Sequence, residues 1–166
     1  LLGRKLPVQF EIAGRLLDPS PLRNHLEEIR SRYSSGIDFH GPINHATVNN
    51  ILKNTGCLVI PSRVDNYPNI CLEAQARGCP VIASNDSSLD EMVTEGKNGF
   101  LFKNGSLGSL VKALRNFLDL SERALLRMSE AAQETDNHRR LEKPVSDLVS
   151  LYEEAIGHFG ISPSSR

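Results

Sequence analysis

PSRVDNYPNICLEAQARGCPVIAS, Pro61 to Ser84, is the stretch whose reading decides the fold. It begins at the end of one apolar run, CLVIPS (Cys57 to Ser62), and closes on another, PVIAS (Pro80 to Ser84). Between them a helix is predicted from about Pro68 to Arg77, with Gly78 as its stop. Strand, helix and strand in so short a span make a crossover unit, which joins parallel neighbours in one sheet. Two carboxylates, Asp65 and Glu73, bracket the start of that helix. Pro68 suits the first helical position, where its missing N–H costs nothing, and leaves the amides of Asn69, Ile70 and Cys71 without intrahelical acceptors. Partial positive charge collects there, so the turn can cradle a diphosphate while the acids hold sugar hydroxyls on either side. A plainer reading of the same residues stands beside it, in which Asp65 or Asn66 caps the helix and Glu73 pairs with Arg77 one turn on.

The same alternation continues outward in both directions. Upstream, VQFEIAG (Val8 to Gly14) reads as a strand. Ser20 and Pro21 open a helix with Leu22, Leu26, Ile29 and Tyr33 at helical spacing, ended by Ser34, Ser35 and Gly36. IDFHG is a short strand, and Val48, Ile51 and Leu52 mark a helix closed by Gly56. CLVIPS, uninterrupted and apolar, reads as a strand covered on both faces. Downstream, Ser88 with Glu91 suggests a capping box for a short helix, and Gly99 leads into the strand FLF. Leu107, Leu110, Val111, Leu114, Phe117 and Leu118 keep one helical face, Ser121 starts a helix through Met128, and Val145, Leu148, Leu151, Tyr152 and Ile156 form a last amphipathic segment. Strands separated by helices predict an α/β, Rossmann-like three-layer domain over residues 1–160, with a mostly parallel sheet and helices on both faces. Residues 161–166, too polar and turn-rich to pack, are expected to be a disordered tail.

A chain of 166 residues, 39% hydrophobic and 23% charged, has the makings of one soluble domain with a core. Its 19 basic and 20 acidic residues leave a net charge of -1 without long runs, which points away from nucleic acid and from a charged membrane surface. Cys57, Cys71 and Cys79 are odd in number and lack CxxC spacing, so a disulfide framework is not expected and a reducing compartment is. His25, His40, His45, His138 and His158 show no ligand spacing, and no metal is expected. No apolar run approaches the ~20 residues that span a bilayer, and the amino end lacks the pattern of a secretory signal. A cytoplasmic setting is expected. The start at Leu1, almost directly before a strand, suggests a piece of a longer chain.

In open parallel sheets ligands collect beyond the carboxyl ends of the strands. That edge carries Gly14 and Arg15, Gly41 to His45, Ser62 to Asn69, and Ser84 to Ser88. Gly41 after a short strand, Pro61 and Ser62, Asp65, then seven residues before Glu73 and Ala74, Gly78 with Pro80 and Val81, and finally Glu91, Val93, Gly96, Asn98, Gly99 and Leu101 form a connected pattern. It resembles the donor-binding half of retaining nucleotide-sugar glycosyltransferases of the GT-B fold, the group 1 type, and covers Gly41 to Phe102. The resemblance implies that Asp65, in place of the commoner Glu, meets the hydroxyls of the donor sugar, and that Glu73 meets the ribose. Asn66, Tyr67, Asn69 and Ile70 would approach sugar and diphosphate, and Gly41, Pro42, Ile43 and His45 the nucleobase. For His45 a surface helix cap is an equal reading. The family usually has Gly-Gly where this chain has Ser87 and Ser88, which would hold the backbone farther from a ligand. Its basic pair for the diphosphate falls before Val8; Arg15 could substitute, or face solvent as a loop residue.

For the full protein the resemblance implies hexosyl transfer from a nucleoside diphosphate sugar to an acceptor hydroxyl with retention, without a metal or other cofactor, in polysaccharide or glycolipid biosynthesis. An N-terminal acceptor-binding domain, absent from this chain, would be its partner, and the chain alone would be inactive. Peripheral association of the full protein with the inner face of the membrane is compatible with that setting. Two other classes stay open: a non-catalytic nucleotide-sugar binding or regulatory module, and a GT-B-like epimerase or phosphorylase. A flavodoxin-like or dinucleotide domain lacks its GxGxxG after the first strand.

Overall fold

The computed structural model describes residues 8–15, 22–32, 36–137 and 142–159. They divide into two compact units, residues 1–51 and 52–166. In the first, β1 (Phe10–Ala13) pairs in parallel with β2 (Ile37–Gly41), Phe10 opposite Ile37 and Ala13 opposite Gly41, with the register shifting between Ile12 and Ala13. The Gly14 amide donates to the Gly41 carbonyl at 2.8 Å, which ties the ends of the two strands together. α1 (Leu22–Arg32) connects them. β1 is exposed throughout, Phe10 and Ile12 included.

α2 (His45–Asn54) begins three residues before the expected Val48, because Asn44 is its cap. The Asn44 Oδ1 accepts from the Thr47 amide at 2.9 Å and from the Thr47 hydroxyl at 3.0 Å. Ser20, Pro21, Tyr33, Ser34, Ser35 and the tail 161–166 lie outside the described residues.

In the second unit, β3 (Leu58–Ile60), β4 (Val81–Ser84) and β5 (Gly99–Phe102) form a parallel sheet in that order, with Leu58 opposite Val81 and Val81 opposite Gly99. α3 (Asn69–Gln75) packs on β3 and β4, and α4 (Leu107–Leu118) on β4 and β5. α5 (Glu122–Asn137) packs on α3, and α6 (Glu142–Phe159) follows. Successive strand residues point to opposite faces. Ile82 with Phe100 and Phe102 meets Ala113 and Met128, flanked by Leu110, Leu114 and Phe117. Val81 and Ala83, on the other face of β4, are equally buried. The strand covered on both faces is therefore β4, the middle strand of the three. β3, at the margin of these three strands, keeps Leu58 and Val59 partly exposed; an apolar run in the sequence does not by itself distinguish a central strand from a lateral one.

α5 runs nine residues past the expected end at Met128, with Ala132 fully buried and Thr135 half-buried. Alanines carry the buried stripe onward there, and they give a weak periodic signal. The predicted capping box is shifted by one. Ser87 caps a 3-10 turn at Ser88–Glu91, its hydroxyl oxygen accepting from the Leu89 amide at 3.3 Å.

Candidate functional site

The carboxyl edge of the β3-β4-β5 sheet is built from three loops, after β3, β4 and β5, laced by side chains onto one another's backbones. Ser84, the last residue of β4, donates its hydroxyl to the Ser62 carbonyl. The Asn104 Nδ2 donates to the Arg63 carbonyl at 2.8 Å, while its amide donates to Asn85 Oδ1 at 3.0 Å. Ser88 reaches the middle of the first loop, accepting from the Tyr67 amide at 2.6 Å and donating to the Asp65 carbonyl at 3.0 Å. These bonds join residues 19 to 41 apart in sequence, so the loop after β3 is held from both neighbouring loops.

Within that loop Asp65 is half-buried, and its Oδ1 accepts from the Asn66 amide at 2.9 Å. Tyr67 adopts φ 61°, a left-handed conformation that costs a bulky residue about 1–2 kcal/mol. Pro68 is the N-cap of α3, with no side-chain cap bond. That excludes the half of the plainer reading in which Asp65 or Asn66 caps this helix. The Cys71 amide, expected to be open, donates to the Pro68 carbonyl at 3.0 Å, a tight first turn that removes one donor from the set. Among the described residues no acceptor is recorded for the amides of Asn69 and Ile70.

Glu73 sits one turn into α3, half-buried, and its Oε2 is shielded from solvent without accepting a hydrogen bond. The Arg77 guanidinium donates at 2.5 Å to the backbone carbonyl of Glu73. Behind it Gln75, fully buried, donates to the Met92 carbonyl at 2.7 Å, so the back of α3 is anchored to the chain that follows the 3-10 turn. Asp65, Asn66, Tyr67, Asn69, Ile70 and Glu73 thus stand on one loop-and-helix segment of the second unit.

Arg15, Gly41, Pro42, Ile43 and His45 belong to the first unit. There Arg15 is exposed just after β1, and Gly41, with φ 64°, ends β2. His45 is the first residue of α2 and exposed; the capping role falls to Asn44, not to it.

The later part of the pattern is structural. The Asn98 Oδ1 accepts from the Thr94 amide at 2.7 Å, and its Nδ2 donates to the Met92 carbonyl and the Thr135 hydroxyl, each at 3.1 Å. The Glu95 Oε2 accepts from the Leu101 amide at 2.6 Å. Sequence reasoning missed the lacing residues Ser84, Ser88 and Asn104 as organisers of the site, since serine and asparagine in polar loops carry no local mark of a distant backbone partner. Among the described residues no cluster of three or more His, Cys, Asp or Glu could hold a metal ion, and no helix is long and apolar enough to cross a membrane.

Comparison with known proteins gives a consistent picture. The family of glycosyl transferases group 1 matches residues 3–135. The D-inositol 3-phosphate glycosyltransferase of Mycobacterium bovis is 27% identical over 98% of this chain, which spans 35% of that relative's length. Sucrose-phosphate synthase from Thermosynechococcus elongatus superposes with a TM-score of 0.74 at 21% identity, covering 90% of this chain and 39% of its own. Anabaena HepE in complex with UDP-glucose gives 0.72 at 18% identity, covering 86% of this chain and 41% of its own. At such identities the two structures establish the fold, that of GT-B glycosyltransferases. With most of its length matched by the family, the chain belongs to the glycosyl transferases of group 1.

Proposed function

We propose that this chain supplies the donor-binding part of a transferase that moves a hexosyl group from a nucleoside diphosphate sugar to an acceptor hydroxyl, with the anomeric configuration retained. The observation that carries it is the acid pair: Asp65 and Glu73 flank the uncapped start of α3 in a chain that belongs to group 1. The HepE structures, which hold UDP-glucose or UDP, support a sugar nucleotide as the ligand class.

Asp65 orients the donor sugar by its hydroxyls and favours the electron-poor ring that forms as the anomeric bond breaks. Glu73 takes the ribose hydroxyls. Asn66, Tyr67, Asn69 and Ile70 line the path of sugar and diphosphate, the amides of Asn69 and Ile70 donating to phosphate oxygens. Negative charge grows on the leaving diphosphate, and fixed donors aimed at it lower the barrier without reorganising. A divalent metal is not part of this reading. Gly41, Pro42, Ile43 and His45 as nucleobase contacts and Arg15 as a diphosphate contact are proposed on the family resemblance alone. The chain spans about a third or less of its curated relatives' lengths, so the acceptor site is assigned to an N-terminal domain outside it, and the chain alone is taken to be inactive. Polysaccharide or glycolipid assembly, at the cytoplasmic side of a membrane, is the proposed setting.

Calorimetric titration with uridine and guanosine diphosphates tests this. The chain should bind one of them weakly, and Glu73→Ala should lose most of the heat. Unchanged binding in that variant would contradict the ribose assignment.

A further inference from the structure

We infer that Ser88 is a positioning residue of the donor site, whose hydroxyl latches the segment carrying Asp65 and sets where that carboxylate stands. The assignment rests on the proposed role of Asp65 at the donor sugar. One hydroxyl serves two backbone groups here: its oxygen accepts from the Tyr67 amide at 2.6 Å, and its proton goes to the Asp65 carbonyl at 3.0 Å. Those groups flank Asn66, so segment 65–67 closes on a residue more than twenty positions away. Tyr67 holds a left-handed φ of 61°, and a bond to its amide offsets part of the strain. The Asp65 carboxylate is tied to the same segment through the Asn66 amide, at 2.9 Å from Oδ1, so fixing the backbone fixes the acid.

Ser87 does something different. Its hydroxyl accepts from the Leu89 amide at 3.3 Å and lies 3.4 Å from the Ser84 carbonyl, capping the 3-10 turn. Loss of the Ser88 hydroxyl therefore leaves that cap in place. Glycine at this position can make neither bond to the loop.

Ser88→Ala and Ser88→Gly remove the hydroxyl, and Ser88→Thr keeps it. Wild type and variants of the full-length protein are titrated with UDP-glucose, UDP, GDP-mannose and GDP, and hydrogen exchange is followed at the Tyr67 amide. Ala and Gly should weaken the sugar nucleotide about tenfold while leaving the matching free nucleotide within about twofold, because the latch sets the acid at the sugar and not the ribose site. The Tyr67 amide should exchange faster in both, and Thr should restore affinity and protection. Equal weakening of sugar nucleotide and nucleotide would contradict a positioning role. Unchanged sugar-nucleotide affinity with a still-protected Tyr67 amide would overturn the latch. Failure of the wild type to bind any of the four would defeat the donor-site reading, and this inference with it.

Discussion

A methyl group at position 99 would stand 1.9 Å from the carbonyl oxygen of Val81, where β5 runs against β4. Backbone lies on the other side of that contact, so no side chain can swing away and the strands would have to part. Gly99→Ala should lower stability by about 3 kcal/mol, a fall in Tm of roughly 6–12 °C. Gly108→Ala, in α4 with nothing within 4 Å, is the control and should be neutral or slightly stabilising by thermal melt. The cysteines answer to pH. Burial pushes the Cys57 thiol up to about 12, helped by its neighbour Cys79, and burial pushes the Cys79 thiol up to about 11. Because unfolded thiols ionise near 9, the native state binds more protons between pH 9 and these values. Stability is therefore fully kept below pH 9 and falls above it, by up to about 1.4 kcal/mol per pH unit for each thiol. Urea midpoints at pH 8 and pH 10.5 measure this, and the Cys57→Ala, Cys79→Ala double variant should show a shallower fall.

At the scale of elements, α3 is the piece whose construction departs most from ordinary practice. It is 7 residues long, starts at Asn69 behind a proline N-cap and has no side-chain cap. A helix so short gains little from its own hydrogen bonds. Cys71 and Ala74, fully buried, hold it to the sheet, and the Gln75 bond to Met92 pins its far end. The missing cap can therefore be restored without disturbing the packing. Pro68→Asp should raise stability by about 0.5–1 kcal/mol by chemical denaturation, since a carboxylate would accept from the open amides. The same substitution should abolish the heat of nucleoside diphosphate binding, because the side chain occupies the donors and repels the phosphates. A gain in stability with undiminished binding would separate those amides from the ligand.

For the whole molecule, the order of strands and helices was legible in the sequence because each element has a strong period of its own and a glycine, proline or serine at its end. Elements held by other means were read less well. The stripe of α5 past Met128 rests on alanine, and the start of α2 rests on a single Asn44 cap. The positions of Asp65 and Glu73 about the start of α3 were legible from their spacing, while the role proposed for them rests on the family resemblance. Their supports were not, since Ser88, Asn104 and Ser84 act on backbone groups that come near only once the three loops share one edge. The comparisons establish family and fold, and the ligand's place remains the central claim. Diffraction from a crystal soaked with a sugar nucleotide tests it most directly. Density should put the pyrophosphate on the amides of Asn69 and Ile70, the hexose beside Asp65 and the ribose on Glu73. A ligand seated elsewhere, with both carboxylates untouched, would contradict the account.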